Sequence, residues 1–139
     1  MNLKKQQALV RMLLAWGPSV LIGILIFYVS HIPGNEITTS KSISNLKPSV
    51  IYHIIIFTML GFSLCHATKA NSLKVFTGIL SFCLIYAISD EVHQIFVPGR
   101  FPSVLDVITD LVGATSAISI WKLLIYKRIY NCTNKDLNT

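Results

Sequence analysis

The sequence predicts an all-α, polytopic membrane protein with four transmembrane helices in a single domain spanning residues 1–139. Three observations carry this. The chain is 53% hydrophobic and only 13% charged, whereas about 25% charged is usual for a soluble domain. Four apolar runs stand at about 12–30, 50–67, 73–94 and 103–126. Each is close to the roughly 20 helical residues that cross a hydrocarbon core of about 30 Å. So short a chain has too little polar surface left to hide four such runs in a soluble core.

The first run follows Lys4, Lys5 and Arg11, as in a secretory signal, but it is long for that role. Ser30-His31-Ile32-Pro33 offers no small-residue cleavage site, so the run is expected to be a retained helix. Pro18 is expected to kink it or to mark its true start. Trp16 and Tyr28 suit its two interfaces. A polar loop from Ile32 to Ser49 follows, rich in Gly, Asn, Ser and Thr. Pro48 suits the first turn of the second helix, and His53 lies about one turn into it. His66 to Lys74 forms a short turn, with Asn71-Ser72 as the expected cap of the third helix. Pro98-Gly99 enforces the turn after that helix. Ser103 with Asp106 three residues on has the form of a capping box for the fourth helix. Asp106, Asp110, Gly113 and Ala117 fall on one stripe, and the last two have the small-xxx-small spacing that lets membrane helices approach closely. Trp121, Tyr126 and Tyr130 form an aromatic belt at the far end.

The net charge of +6 is not a nucleic-acid signal; what matters is where it lies. With both termini in the cytoplasm, the inner side carries Lys4, Lys5, Arg11, Lys69, Lys74, Lys122, Lys127, Arg128 and Lys135. The outer side carries Lys41, Lys47 and Arg100. The positive-inside rule favours that orientation. It places Glu36, Asp90, Glu91, Asp106 and Asp110 outside and leaves Asp136 inside. Cys65, Cys83 and Cys132 show no paired spacing, so no disulfide or metal framework is implied; buried small hydrophobes are expected. Cys132 is also a weak lipidation candidate. There is no Walker loop, nucleophile elbow, HExxH or CxxC.

The chemistry-bearing stretch is SDEVHQIFVPGRFPSVLDVITDLVG, from Ser89 to Gly113. A carboxylate at the bilayer centre costs about 2.5–3.5 kcal/mol on insertion scales. Four unpaired acids would therefore cost on the order of 10 kcal/mol. The acids must sit at headgroup level, or pair with His53, His93, Arg100 or a cation. Asp90 with Gln94, and Glu91 with Gln94, are helical neighbours. Arg100 can offer a bidentate fork to a carboxylate or a phosphate. The candidate polar pocket is thus Asp90, Glu91, His93, Gln94, Arg100, Asp106, Asp110 and His53. Asp106, Asp110, Asp90 and Glu91 are also candidate ligands for a divalent cation.

The string IYAISDEVHQIFVPGRFPSVLDVITDLVGA resembles the signature of the VanZ-like membrane proteins. Its acidic pair, Gln, Pro-Gly-Arg, two further Asp and Gly correspond to Asp90, Glu91, Gln94, Pro98, Gly99, Arg100, Asp106, Asp110 and Gly113, with His93 beside the pair. FYVSHIPG at Phe27 to Gly34, and His53, are weaker echoes. Where many members carry an Asp-Lys pair shortly before that histidine, this chain has Ser49 and Val50. The resemblance implies a multi-pass protein of the bacterial plasma membrane with a link to resistance against teicoplanin-type glycopeptide antibiotics.

Three functions stay open. One is a cell-envelope protein whose extracytoplasmic polar pocket binds a lipid-linked envelope precursor or another surface ligand, with Arg100 on a phosphate or carboxylate. Another is a metal-assisted hydrolase or transferase acting on a lipid headgroup, with a divalent cation as cofactor and His93 or His53 as general base. The last is a structural or regulatory membrane subunit. The bilayer is a partner in all three, and nucleic acid in none.

Overall fold

A computed structural model describes the backbone of residues 3–34 and 48–137, and the side chains of 3–34 and 50–128. Glu36, Lys41, Lys47 and most of the polar loop lie outside the described residues. So do the side chains of Ser49, Tyr130, Cys132, Lys135 and Asp136.

Four helices follow one another: α1 Leu3–Ser30, α2 Pro48–Thr68, α3 Leu73–Gln94 and α4 Val104–Leu137. Among the described residues there is no strand. All four are long and apolar enough to cross a membrane, over Leu3–Ser30, Val50–Thr68, Leu73–Gln94 and Val104–Arg128. Their outward surface is apolar, with Val20, Leu21 and Ile24 on α1, Ile85 and Ile88 on α3, and Ile108 and Val112 on α4 all exposed from the bundle. These residues face lipid, which is as apolar as they are. Packing and hydrogen bonds, rather than the hydrophobic effect, must therefore hold the helices to one another.

The centre of the bundle is α2. Its Phe57, Leu60, Leu64 and Cys65 pack with Phe76, Ile79, Cys83 and Ala87 of α3 and with Ala114 and Ile118 of α4. Cys65 and Cys83 are buried and free, as small core residues. The α2–α4 contact is the most extensive, and its closeness has a sequence cause. A Cβ on Gly113 would lie 2.5 Å from the Ile54 carbonyl oxygen and 3.1 Å from the Thr58 amide. A Cβ on Gly61 would meet Ala117 at 3.0 Å. Thr58 Oγ1 donates 2.6 Å to its own helix at Ile54 O and lies 3.1 Å from Gly113 O across the interface. The stripe expected on α4 therefore does face the bundle.

At the end where α1 and α3 finish and α2 and α4 begin, the α3–α4 connection is short and tied to the end of α1. Val97-Pro98-Gly99-Arg100 closes with Arg100 N donating to Val97 O at 3.1 Å. Gly99 takes φ 75°, the conformation that a type II turn with Pro before it requires. Gly34 N donates to Pro98 O at 3.1 Å, and a Cβ on Gly34 would collide with the Gly99 carbonyl.

At the opposite end, α2 stops with Lys69 at φ 50°. Ala70 N bonds to Cys65 O at 2.9 Å and Lys69 N to His66 O at 3.2 Å, the Schellman pattern with a lysine where glycine is usual. Trp121 Nε1 donates to Ala70 O at 2.8 Å, so the expected aromatic belt residue also anchors this turn.

Several boundaries differ from expectation. α1 runs unbroken through Pro18 from Leu3, because the charged residues before the apolar run extend the same helix. α4 continues to Leu137, well past 126, since nothing in Tyr126 to Leu137 breaks a helix. Ser72 occupies the N-cap position of α3 with extended backbone but makes no side-chain cap bond. The capping box at Ser103 does not form either. Asp106 makes no side-chain hydrogen bond among the described residues, and the Ser103 amide goes to a different acid.

Candidate functional site

The polar residues meet where the four helices converge. Asp90, Glu91 and Gln94 are all buried on the last turn of α3. Their spacing puts them on one face, and the face turns inward. Ser30 Oγ at the end of α1 donates to Asp90 Oδ2 at 2.7 Å. Gln94 Nε2 donates to the same oxygen at 3.0 Å and lies 3.4 Å from both Glu91 Oε1 and Ser30 Oγ. The two helical neighbour pairs expected within α3 are therefore present. Glu91 Oε2 accepts from the Ser103 amide at 2.6 Å. A carboxylate from α3 thus caps α4, where the positive end of the helix dipole favours an anion.

From the other side, His53 on α2 meets Asp110 on α4, with Nδ1 2.9 Å from Oδ1. Both are buried, Asp110 completely. A carboxylate accepts only, so Nδ1 carries the proton and donates. The nitrogen left free is Nε2. Tyr52 stacks edge-on against the His53 ring at 5.7 Å between centroids, and its hydroxyl is buried without a partner.

Two carboxylates are half satisfied. Asp90 Oδ1 and Asp110 Oδ2 are both buried with no hydrogen-bond partner among the described residues. Buried polar atoms are nearly always paired, so an orphan oxygen on each of two acids in one site is the feature that needs a ligand, a proton or a cation. His53, Glu91 and Asp106 each place one donor atom within 4.8 Å of the others. Asp106 is only half-buried, which gives this group a side open to the outside of the bundle.

Of the expected pocket members, His53, Asp90, Glu91, Gln94, Asp106 and Asp110 lie at this end of the bundle on α2, α3 and α4. Two expected members stand elsewhere. His93 points to α1: its ring stacks on Phe27 at 4.1 Å between centroids and reaches His31, nitrogen to nitrogen, at 3.4 Å. One residue of offset from Gln94 turns it about 100° around the helix, away from the acids. It is not placed to be the base for groups on α4, nor a ligand beside Asp110.

Arg100 forms no fork with a carboxylate. Its Nε donates to Ile32 O at 3.1 Å and its Nη2 to Val29 O at 2.9 Å. The carbonyls at the end of α1 lack helical partners, and a guanidinium is well shaped and charged to take them. Arg100 is therefore a clamp on α1 rather than a free anion receptor.

Ser30, Tyr52 and Ser103 were not among the expected site residues. Ser30 and Ser103 look like ordinary helix-end serines in the sequence, and no spacing singles out Tyr52.

Away from this cluster, an apolar crevice of about 650 Å³ lies between α1, α2 and α3, lined by Trp16, Val20, Gly23, Leu60, Ile79 and Tyr86 among others. Its upper limit is near the site, since Tyr86 lies one turn before Asp90 and its hydroxyl donates to Gly23 O at 2.7 Å.

No curated protein and no solved structure matches this sequence. The family model described as VanZ/LLP1 matches residues 15–125, which takes in the second and third spans whole, most of the fourth, part of the first and every member of the polar cluster. The chain is a multi-pass membrane protein that belongs to the VanZ/LLP1 family.

Proposed function

We propose that this protein is a small component of the bacterial cell envelope whose polar pocket accepts the cationic end of a lipid-linked or cell-surface ligand from the extracytoplasmic side. Through that ligand it alters sensitivity to teicoplanin-type glycopeptides. The observation that carries the reading is the pair of orphan buried oxygens, Asp90 Oδ1 and Asp110 Oδ2, in a site where Glu91 and Asp106 add two more carboxylates. The nearest guanidinium is engaged on α1. A site with surplus negative charge and little water attracts a cation. Sidedness follows from the distribution of Lys and Arg between the two ends of the spans. The lipid-linked class is supported by the apolar crevice beside Tyr86, which suits a hydrocarbon tail running down from a headgroup at the cluster.

The test is complementation in a bacterial host lacking its own copy of the gene. Variants Asp106→Asn and His53→Ala are compared with Ser119→Ala, whose side chain is exposed and bonds to Thr115 O in its own helix. Membrane abundance is measured beside glycopeptide sensitivity. The expected result is loss of the phenotype in Asp106→Asn at normal abundance. Full activity of that variant overturns the reading.

A further inference from the structure

We propose that His53, Glu91 and Asp106 form a binding site for one divalent transition-metal ion of the zinc or manganese class, with Asp110 as the residue that orients the histidine. The inference rests on the reading of this cluster as a ligand site and names the cation that it holds.

Geometry comes first. One donor atom from each of the three residues lies within 4.8 Å of the other two, although they come from three different helices. Nitrogen and oxygen ligands bind such ions at about 2.0–2.2 Å, so neighbouring donors of a tetrahedral ion stand about 3.4 Å apart. The donors must close by up to about 1.4 Å, which rotation of the Glu91 and Asp106 side chains supplies.

The surroundings fit a metal histidine. A ligating imidazole almost always donates its other N–H to a carboxylate or carbonyl, which fixes the tautomer and raises the basicity of the ligating nitrogen. His53 does this with Asp110 at 2.9 Å, and the remaining nitrogen is Nε2. Glu91 is held in turn by the Ser103 amide at 2.6 Å and by Gln94 at 3.4 Å. The Asp106 carboxylate makes no hydrogen bond among the described residues, its backbone bonds to Ser103 and Thr109 apart, so it is free to bind.

An independent observation points the same way. Asp110 is fully buried, and its Oδ2 has no partner. Among the described residues the hydrogen-bond partner of that side chain is the His53 ring, and a dication on the far nitrogen of the ring would stabilise the whole unit. Imidazole with carboxylates favours zinc, manganese or iron over the all-oxygen shells of calcium and magnesium. Three protein ligands leave at least one position open, on the half-buried Asp106 side, for water or the polar end of a ligand.

The experiment uses the full-length chain, purified in detergent without an affinity tag, stripped with chelator and re-equilibrated with Zn²⁺ or Mn²⁺. Bound metal is counted by mass spectrometry, and Co²⁺ serves as an optical probe of nitrogen and oxygen coordination. The expected result is one equivalent per chain. Affinity should fall at least tenfold in His53→Ala and Asp106→Asn, fall about 10–100-fold in Asp110→Asn, and hold in His93→Ala. Asp106→Asn removes no hydrogen bond, so it should elute as the wild type does and give a clean reading. No stoichiometric metal in the wild type, or unchanged affinity in Asp106→Asn, overturns the proposal. If the wild type binds no metal and Asp106→Asn still loses the envelope phenotype, the metal is ruled out and the pocket reading survives. If metal binds as expected and Asp106→Asn keeps the phenotype, the reverse holds.

Discussion

His53 Nδ1 lies 2.9 Å from Asp110 Oδ1, and this contact joins α2 to α4 at a point where neither side chain meets solvent. It sits one turn from Gly113, whose missing side chain lets the same two helices touch backbone to backbone. Polar pair and small residue therefore act on one interface, each making the other possible.

Removing one partner of that pair leaves the other buried and uncompensated. His53→Ala is expected to destabilise the protein by on the order of 3 kcal/mol, read as a lower unfolding temperature in detergent. Asp110→Asn keeps the shape and can still accept from Nδ1 through its amide oxygen, so its cost should be nearer 1 kcal/mol. An unchanged melting temperature in His53→Ala would contradict a structural contribution from the pair.

Gly113→Ala places a methyl 2.5 Å from the Ile54 carbonyl oxygen, with backbone on both sides and nowhere to yield. Overpacking of this kind costs about 1–3 kcal/mol, and the helices must part by enough to stretch the His53–Asp110 contact. Gly78→Ala meets nothing within 4 Å and should change stability by no more than about 0.5 kcal/mol. Melting temperatures of the two variants, measured side by side, check the contrast.

Arg100→Ala removes both guanidinium bonds to the Val29 and Ile32 carbonyls and leaves Val29 O with the Ile32 amide at 3.2 Å. Hydrogen bonds from a charged donor contribute about 1.5–3 kcal/mol, and the loss should be local to the end of α1. Hydrogen exchange should quicken at residues 29–34 and 97–100 while the centre of α2 keeps its protection. Lysine cannot span two carbonyls with a planar fork, so Arg100→Lys should rescue only part of the effect.

The proposed orientation is checked by labelling in a background with Cys65, Cys83 and Cys132 replaced. Phe101→Cys, at a position 83% exposed, should react with an impermeant thiol reagent on intact cells. Lys69→Cys, at the opposite end of the bundle, should react only after permeabilisation. The reverse pattern would place the polar cluster on the cytoplasmic side.

Hydropathy made the four spans legible, because a run that must match a bilayer leaves little freedom in length. The facing stripe of α4 was also legible: Gly113 and Ala117 mark a close approach, and Asp110 shares their face. The rotation of α3 was harder. Its apolar residues surround the helix with no preferred side, so nothing in the pattern says whether His93 or Gln94 turns inward. The structure chooses Gln94, because Asp90 and Glu91 find donors at Ser30 and Ser103 on that face. Arg100 was misplaced for a related reason. Charge attraction suggested a carboxylate partner, whereas the Val29 and Ile32 carbonyls at the end of α1 and just beyond it lie within its reach and cannot be seen in a string of letters. Capping at Ser103 was assigned to the nearest acid in sequence, but the acid that takes the amide arrives from the neighbouring helix.

The two acids that end α3 look in opposite directions along the chain. Besides Gln94 of their own helix, Asp90 takes a bond from Ser30, 60 residues earlier, and Glu91 one from Ser103, 12 residues later. As the nascent polypeptide leaves the ribosome, Asp90 enters a bilayer that already contains its donor. Glu91 must wait for its own, about one second at usual translation speeds. Biogenesis thus has a direction written into it: the third span is captured by the spans before it, and only afterwards does the fourth lock in place.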